Sequence, residues 1–144
     1  MMIKIADIRR ALEVEPLLTY GGFAKNEDEA KGGYSELVDH ISEVQMCYDW
    51  LIMQNIGQRV SHREHSSYLL KHAAEAFADS YVSNGAFLCA AIIAGVPYKR
   101  IRNTPNAFVA VRGRRHRKRS YSGWTYRQRS YDMFNPFPPD YKRG

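Results

Sequence analysis

Apolar residues recur at helical spacing through the first half of the chain, with polar and glycine-rich interruptions between the stripes. Ile5, Ile8 and Leu12 lie three and four residues apart, which predicts a first helix over residues 3–14. A longer stripe predicts a second helix over residues 35–54, with one apolar face turned to a core. The apolar positions of that stripe are Leu37, Ile41, Val44, Tyr48 and Leu51.

Two more helices are predicted from their starting signals. The run from Ser61 to Glu64 fits a capping box, so we expect a helix to begin there and continue to about Ala78. Ser83 is the next favourable N-cap, and it precedes a helix over residues 84–94 that ends before Gly95. This last helix is apolar on all sides, which is typical of a buried core helix and not of a DNA-reading helix.

The pattern changes after Pro97. Short β-like runs at 98–102 and 107–111 flank the turn cluster Asn103-Thr104-Pro105-Asn106, which predicts a hairpin. The fold class expected is therefore α+β and mainly helical, with about four helices and a C-terminal β-hairpin. We expect a compact domain over residues 1–111, followed by an extended basic arm over residues 112–144 without regular structure.

The charge distribution separates the same two parts of the chain. The net charge of the 144 residues is +6. Residues 1–111 carry 11 Lys and Arg against 13 Asp and Glu, a net charge of −2, whereas residues 112–144 carry 10 Lys and Arg against 2 Asp, a net charge of +8. A nearly neutral body is thus joined to a strongly cationic end, and such ends commonly bind polyanions.

The basic segment interleaves its cations with aromatic residues. Dense cations neutralise phosphates and release counterions, while planar aromatic and guanidinium groups stack on unpaired bases. These features predict a nucleic-acid-binding arm, with DNA and RNA both open. Two alternatives remain: an arm held against the acidic body, and an arm that docks on a neighbouring subunit or another protein. The candidate nucleic-acid-binding residues are Arg112, Arg114, Arg115, Arg117, Lys118, Arg119, Tyr121, Trp124, Tyr126, Arg127 and Arg129.

Signals for catalysis or metal binding are weak in this sequence. There is no GxSxG nucleophile motif and no GxxxxGK[ST] phosphate-binding loop. Cys47 and Cys89 lie in apolar runs and are expected to be core residues. Four histidines are candidate metal ligands, namely His40, His62, His65 and His72, but their spacing lacks an HExxH signature. We expect no enzyme, no catalytic residues, no metal and no cofactor.

The sequence contains no predicted membrane span or secretory signal. Its longest apolar stretch, residues 86–96, is shorter than the roughly 20 residues that a span needs. The first ten residues mix acidic and basic side chains with apolar ones and lack a small-residue cleavage site. We therefore expect a cytoplasmic protein with no membrane partner.

Three short stretches carry a resemblance. Residues 66–72, the run Tyr81-Val82-Ser83-Asn84-Gly85-Ala86-Phe87, and Pro105-Asn106-Ala107-Phe108 resemble a group of small uncharacterised proteins of bacteriophages and other mobile elements. The resemblance implies a phage, prophage or plasmid setting in a bacterial host, and it implies no catalytic residues.

The expected function is a non-enzymatic phage or mobile-element protein. Its basic arm would bind nucleic acid or a nucleoprotein assembly. The alternative is a virion structural protein, or an inhibitor of a host defence complex, whose arm docks on a protein partner. Homo-oligomers or virion neighbours are further partners under that alternative, since closed assemblies use arms to connect subunits.

Overall fold

A computed structural model describes residues 1–61, 64–114, 120 and 122–135, except the side chains of Arg127 and Ser130. The fold is α+β and about 49 % helical. Among the described residues, α2 is a single turn and the other helices are longer. The helices are α1 (Ile5–Val14), α2 (Glu27–Ala30), α3 (Gly33–Asp39), α4 (Ile41–Leu51), α5 (Ser67–Ala78), α6 (Asn84–Ile93) and α7 (Tyr126–Phe134).

The strands form small antiparallel sheets around the helices. The pair β1–β2 stands alone, β3 pairs with β7, and the remaining sheet has the order β4–β6–β5. No helix in the described ranges is long and apolar enough to cross a membrane. The strands are β1 (Leu18–Thr19), β2 (Gly22–Phe23), β3 (Gln54–Ile56), β4 (His65–Ser66), β5 (Tyr98–Arg100), β6 (Ala107–Val109) and β7 (Val111–Arg114).

Helix α6 lies at the centre of the core. Its residues 84–91 are all buried, and α1, α4 and α5 pack around it. At its start, the Gly85 amide donates to the Tyr20 carbonyl oxygen at 2.9 Å. A Cβ atom on Gly85 would lie 1.8 Å from the Thr19 carbonyl oxygen, so only glycine permits this close approach.

The predicted boundaries of α6 are confirmed to within one residue. Ser83 is the N-cap, and its Oγ accepts a hydrogen bond from the Ala86 amide at 2.9 Å. Gly95 follows the helix with a φ of +74°, the left-handed conformation that commonly ends helices. The burial of α6 also confirms that it is a core helix. These signals are local in sequence, which explains why they could be read without the structure.

The predicted hairpin is confirmed as well. Strands β5 and β6 pair antiparallel around the turn, with Tyr98 opposite Val109 and Arg100 opposite Ala107. The turn contains Asn103 with a φ of +62°, a conformation that asparagine tolerates better than most residues. The sheet is wider than a hairpin, however, because β4 pairs with the other edge of β6.

The predicted single helix over residues 35–54 is wrong. The chain forms α3 and α4 with a break at His40, whose φ and ψ are −112° and 33°. There the His40 imidazole Nδ1 lies 2.8 Å from the Glu36 carbonyl oxygen, and its ring lies 4.3 Å from the Tyr20 ring. The Glu36 carbonyl oxygen also keeps its hydrogen bond from the His40 amide at 3.1 Å, so the break lies at the dihedral angles of His40, and the apolar stripe continues across it.

The predicted start of the third helix at Ser61 is also wrong. Ser61 does donate from its amide to the Glu64 carboxylate at 3.3 Å, but α5 begins at Ser67, capped by the Ser66 hydroxyl. Residues 62 and 63 of the predicted capping box lie outside the described residues. Strand β4, which lies between Ser61 and the start of α5 at Ser67, pairs with β6. Strand pairing with a distant partner thus takes residues that local capping preferences assign to a helix.

Regular structure continues past residue 112, where none was expected. The proposed boundary at residue 111 falls at the start of β7, which pairs with β3, and α7 packs against α5 and β7. The Trp50 indole donates to the Asn135 Oδ1 at 2.7 Å. The Gln54 side-chain Nε2 donates to the Phe134 carbonyl oxygen, also at 2.7 Å. The described residues of this region therefore share the core of the helices before them.

Candidate nucleic-acid interface

Arg114, a predicted phosphate contact, forms a buried ion pair instead. Its Nη2 lies 3.1 Å from the Asp132 Oδ1, and its Nε donates to the Asp132 carbonyl oxygen at 3.0 Å. The side chains of Arg114 and Asp132 are 9 % and 0 % exposed. This ion pair, which we call the Arg114–Asp132 clasp, connects β7 to α7. The Arg114 guanidinium is therefore part of the fold and not of an outer surface.

The backbone of β7 also approaches α7 closely beside the clasp. Gly113 has a φ of +109°, and a Cβ atom there would lie 2.9 Å from the Met133 carbonyl oxygen. Both the positive φ and the short approach favour glycine. Gly113 therefore allows the strand and the helix to lie near enough for the clasp to form.

Arg112 is paired with a carboxylate as well. Its Nη1 lies 2.7 Å from the Glu64 Oε1, and its Nη2 donates to the Arg59 carbonyl oxygen at 3.2 Å. The Arg112 side chain is 44 % exposed, whereas the Glu64 side chain is 2 % exposed. The Arg112 side chain is thus partly exposed, and Glu64 balances its charge.

The remaining cations of the dense run lie outside the described residues. These are Arg115, Arg117, Lys118 and Arg119, and the predicted stacking residue Tyr121 also falls there. The side chain of Arg127 is likewise not described. The structure thus places two arginines of the run in ion pairs and leaves the predicted role of the other four cations as a prediction.

Helix α7 presents the described part of the predicted interface. A capping box starts it: the Thr125 hydroxyl accepts from the Gln128 amide at 3.1 Å, and the Gln128 side chain accepts from the Thr125 amide at 3.0 Å. Tyr126 and Arg129 are exposed and three residues apart, so they lie on the same side of the helix. Trp124, just before the helix, is partly buried.

The opposite face of α7 is turned to the core. Tyr131, Asp132 and Phe134 are buried, and the Phe134 ring packs 5.9 Å from the Trp50 ring and 5.3 Å from the His65 ring. The helix therefore holds one end of the segment 115–125, and β7 holds the other. The cationic run is bounded on both sides by elements that pack on the same body.

Sequence reasoning missed Glu64 and Asp132 as partners of the arginines. Glu64 was assigned only to a capping box, a role that its carboxylate fulfils in part through the Ser61 amide and hydroxyl. Asp132 is one of only two acidic residues after residue 111. An isolated carboxylate among apolar and basic residues is the sequence signal that indicates an internal ion pair there.

The described histidines lie in separate environments. His40 stacks on Tyr20, and the His72 Nδ1 lies 3.3 Å from the Glu75 carboxylate. Burial lowers the pKa of His65, and the nearby Glu64 charge opposes that shift. Among the residues that the structure describes, no three His, Cys, Asp or Glu side chains group as a metal site.

Both cysteines are buried, as expected from their apolar neighbours. Burial raises the pKa of the Cys89 thiol to about 12, and it raises the pKa of the Cys47 thiol well above its ordinary value. Both thiols are therefore protonated at neutral pH, whereas the thiolate is the nucleophilic form.

A second group of polar side chains surrounds the start of α6. The Glu43 carboxylate accepts from the Tyr20 hydroxyl at 2.8 Å and from the Ser83 amide at 2.8 Å. Burial and this hydrogen bond raise the pKa of Tyr20 to about 12. Glu43 thereby satisfies a backbone amide at the helix start and connects α4 to the loop before β2.

Comparison with known proteins adds no relative. No family model matches the chain, and neither a curated protein nor a solved structure is significantly similar to it.

Proposed function

We propose that the chain is a non-enzymatic nucleic-acid-binding protein whose contact surface is the basic segment 115–119 together with the exposed side of α7. Tyr126 and Arg129 supply the aromatic and cationic groups of that side. In the phage or mobile-element setting that the resemblance implies, the ligand is DNA or RNA, alone or in a nucleoprotein assembly.

One observation carries this proposal. Arg112 and Arg114 are paired with the carboxylates of Glu64 and Asp132. Strand β7 and helix α7 therefore hold both ends of a segment that contains four further cations. A cationic segment with two fixed ends loses less conformational freedom on binding than a tail with one fixed end. Because Arg112 and Arg114 are in ion pairs, only four of the six cations between residues 112 and 119 are counted as phosphate contacts.

The experiment measures the anisotropy of a labelled DNA duplex against the full chain over a series of salt concentrations. The four cations of segment 115–119 contribute about −3.6 to the log–log slope, since each phosphate contact on duplex DNA contributes about −0.9, and Arg129 adds one further contact of this kind. Replacing Arg115, Arg117, Lys118 and Arg119 together by alanine should abolish most of this salt-dependent binding.

A charge-matched variant controls for the loss of net charge. Replacing the exposed residues Arg9, Lys25, Lys31 and Arg59 by alanine also removes four positive charges. This control should retain nearly wild-type affinity. Equal losses in both variants would mean that net charge alone attracts the duplex. No binding by the wild-type chain at low salt would overturn the proposal and favour docking of the segment on a protein partner.

A further inference from the structure

Outside the basic segment, the three-stranded sheet exposes an aromatic residue at its centre. Phe108 lies on the middle strand β6, opposite Ser66 of β4 and Lys99 of β5. Residues directly opposite one another in antiparallel strands project to the same face of the sheet. Phe108 is 36 % exposed, and Lys99 is exposed as well. One face of the sheet thus shows a phenyl ring beside an ammonium group.

A second exposed aromatic residue, Tyr68, lies two positions after Ser66, the cross-strand partner of Phe108. The Ala107 amide donates to the Ser67 hydroxyl at 3.1 Å, and Phe108 and Tyr68 are the residues that follow these two along the chain. Tyr68 is 54 % exposed, although it is a large aromatic residue. Its ring meets the His72 ring edge-on, at 4.6 Å between centroids, which restricts the tyrosine.

The charges around Phe108 and Tyr68 favour an anionic ligand. Strands β4, β5 and β6 contain Lys99 and Arg100 and no carboxylate. The nearby Glu75 carboxylate is shared by the Lys71 ammonium at 2.8 Å and by His72 at 3.3 Å. That carboxylate is paired within α5. Beside β5, the Glu15 carboxylate accepts from the Tyr98 hydroxyl, and the Arg100 guanidinium lies over the Phe23 ring. The exposed cation beside Phe108 is therefore Lys99.

We propose that Phe108 and Tyr68 form a stacking platform for the bases of single-stranded nucleic acid, with Lys99 contacting a phosphate. This rests on the proposed function and names its ligand class. Every base has a π-face, so two exposed rings bind unpaired bases without reading their sequence. Paired bases in a duplex keep their faces stacked on each other and are closed to such a platform.

The test compares an unstructured labelled oligo(dT) strand with a duplex, again by anisotropy over a salt series. Phe108→Leu and Tyr68→Leu remove an aromatic face each but keep apolar volume. Each should weaken oligo(dT) binding about tenfold, within the range found when stacking aromatics are removed. The loss should be the same at every salt concentration, because stacking releases no counterions. Duplex binding should not change.

Matched variants separate the two kinds of contact. Phe108→Tyr and Tyr68→Phe keep the rings and should retain oligo(dT) affinity. Lys99→Ala should reduce the size of the salt slope by about 0.7, the contribution of one phosphate contact on a single strand.

The outcomes distinguish this inference from the proposed function. Wild-type oligo(dT) affinity in both leucine variants would overturn the platform and leave the basic segment in place. A loss on duplex equal to the loss on oligo(dT) would also overturn it, since a stacking platform does not act on paired bases. If the wild-type chain binds neither probe, the platform and the proposed function fail together.

Discussion

Helix α6 and helix α7 are of similar length, yet different interactions define them. Helix α6 is marked by residues within its own sequence: Ser83 caps it, and Gly95 follows its end. Helix α7 has a capping box but a mostly polar sequence, and distant residues hold it in place. Trp50 and Arg114 reach it from α4 and β7. Local signals thus determine where α6 begins and ends, whereas tertiary contacts determine where α7 lies.

Removing the Arg114–Asp132 clasp should have the largest effect on stability. Arg114→Ala leaves the fully buried Asp132 carboxylate without its guanidinium, and breaking a buried pair typically costs about 3–5 kcal/mol. Urea denaturation followed by circular dichroism measures the change. Lys31→Ala is the matched control, because Lys31 and its partner Asp28 are 78 % and 89 % exposed and their pair should contribute only about 0–1 kcal/mol. Similar losses in both variants would show that the clasp contributes no more to the free energy of unfolding than an exposed ion pair does.

Asn135→Ala tests the contact between the end of α7 and the part of the core around Trp50. It removes the acceptor of the buried Trp50 indole and the donor to the Ala73 carbonyl oxygen. An unsatisfied buried polar group costs about 1–3 kcal/mol, so we expect a loss in that range by urea denaturation. A change below about 0.5 kcal/mol would mean that water replaces the asparagine at these positions.

Ser83→Ala removes a local signal instead of a tertiary contact. The Ala86 amide loses its acceptor, and losing an N-cap typically costs about 1 kcal/mol. Ser83→Asp keeps an acceptor at the same position, but it places a second carboxylate near Glu43, so Ser83→Thr is the better conservative control. We expect the alanine variant to unfold at lower urea concentration and the threonine variant to stay near wild type. Equal stability of the serine and alanine proteins would contradict the role of the cap.

The smallest effect concerns the acid side of the stability profile. Burial lowers the pKa of His65 below its ordinary value of 6.5. The unfolded chain therefore binds a proton more readily at this position, and the contribution of neutral His65 to stability is lost as the pH falls through about 6.5. Denaturation at pH 7.5 and pH 5 should show a smaller decrease for His65→Gln than for the wild type. An unchanged decrease would place the acid sensitivity elsewhere.

The same contrast explains what the sequence could predict of the fold. The hairpin β5–β6 and helix α6 follow from turn residues, caps and periodicity that lie within a few positions of one another. At the break the His40 ring packs against the Tyr20 ring, and β4 forms by pairing with β6. Neither partner is close in sequence, so local patterns assign both regions to continuous helix.

The candidate site divides in a similar way. The cationic run is visible from composition alone, but the distinction between its members is not. Arg112 and Arg114 have carboxylate partners on other elements, and only the fold brings Glu64 and Asp132 to them. The sequence does not indicate Phe108 and Tyr68 as binding residues, because an aromatic residue in a strand or helix is expected to be buried. Only the structure shows that both are exposed.

The clasp also makes the length of the segment 115–125 adjustable. Its two ends are joined by an ion pair that does not involve the residues between them. Loop-closure entropy grows slowly with length, and doubling a flexible loop costs only about 0.6 kcal/mol. Because the clasp joins β7 directly to α7, a change in the number of residues between Arg114 and Trp124 should leave the contacts of the clasp unchanged. The free energy of unfolding should thus depend strongly on the clasp and only weakly on the number of residues in this segment.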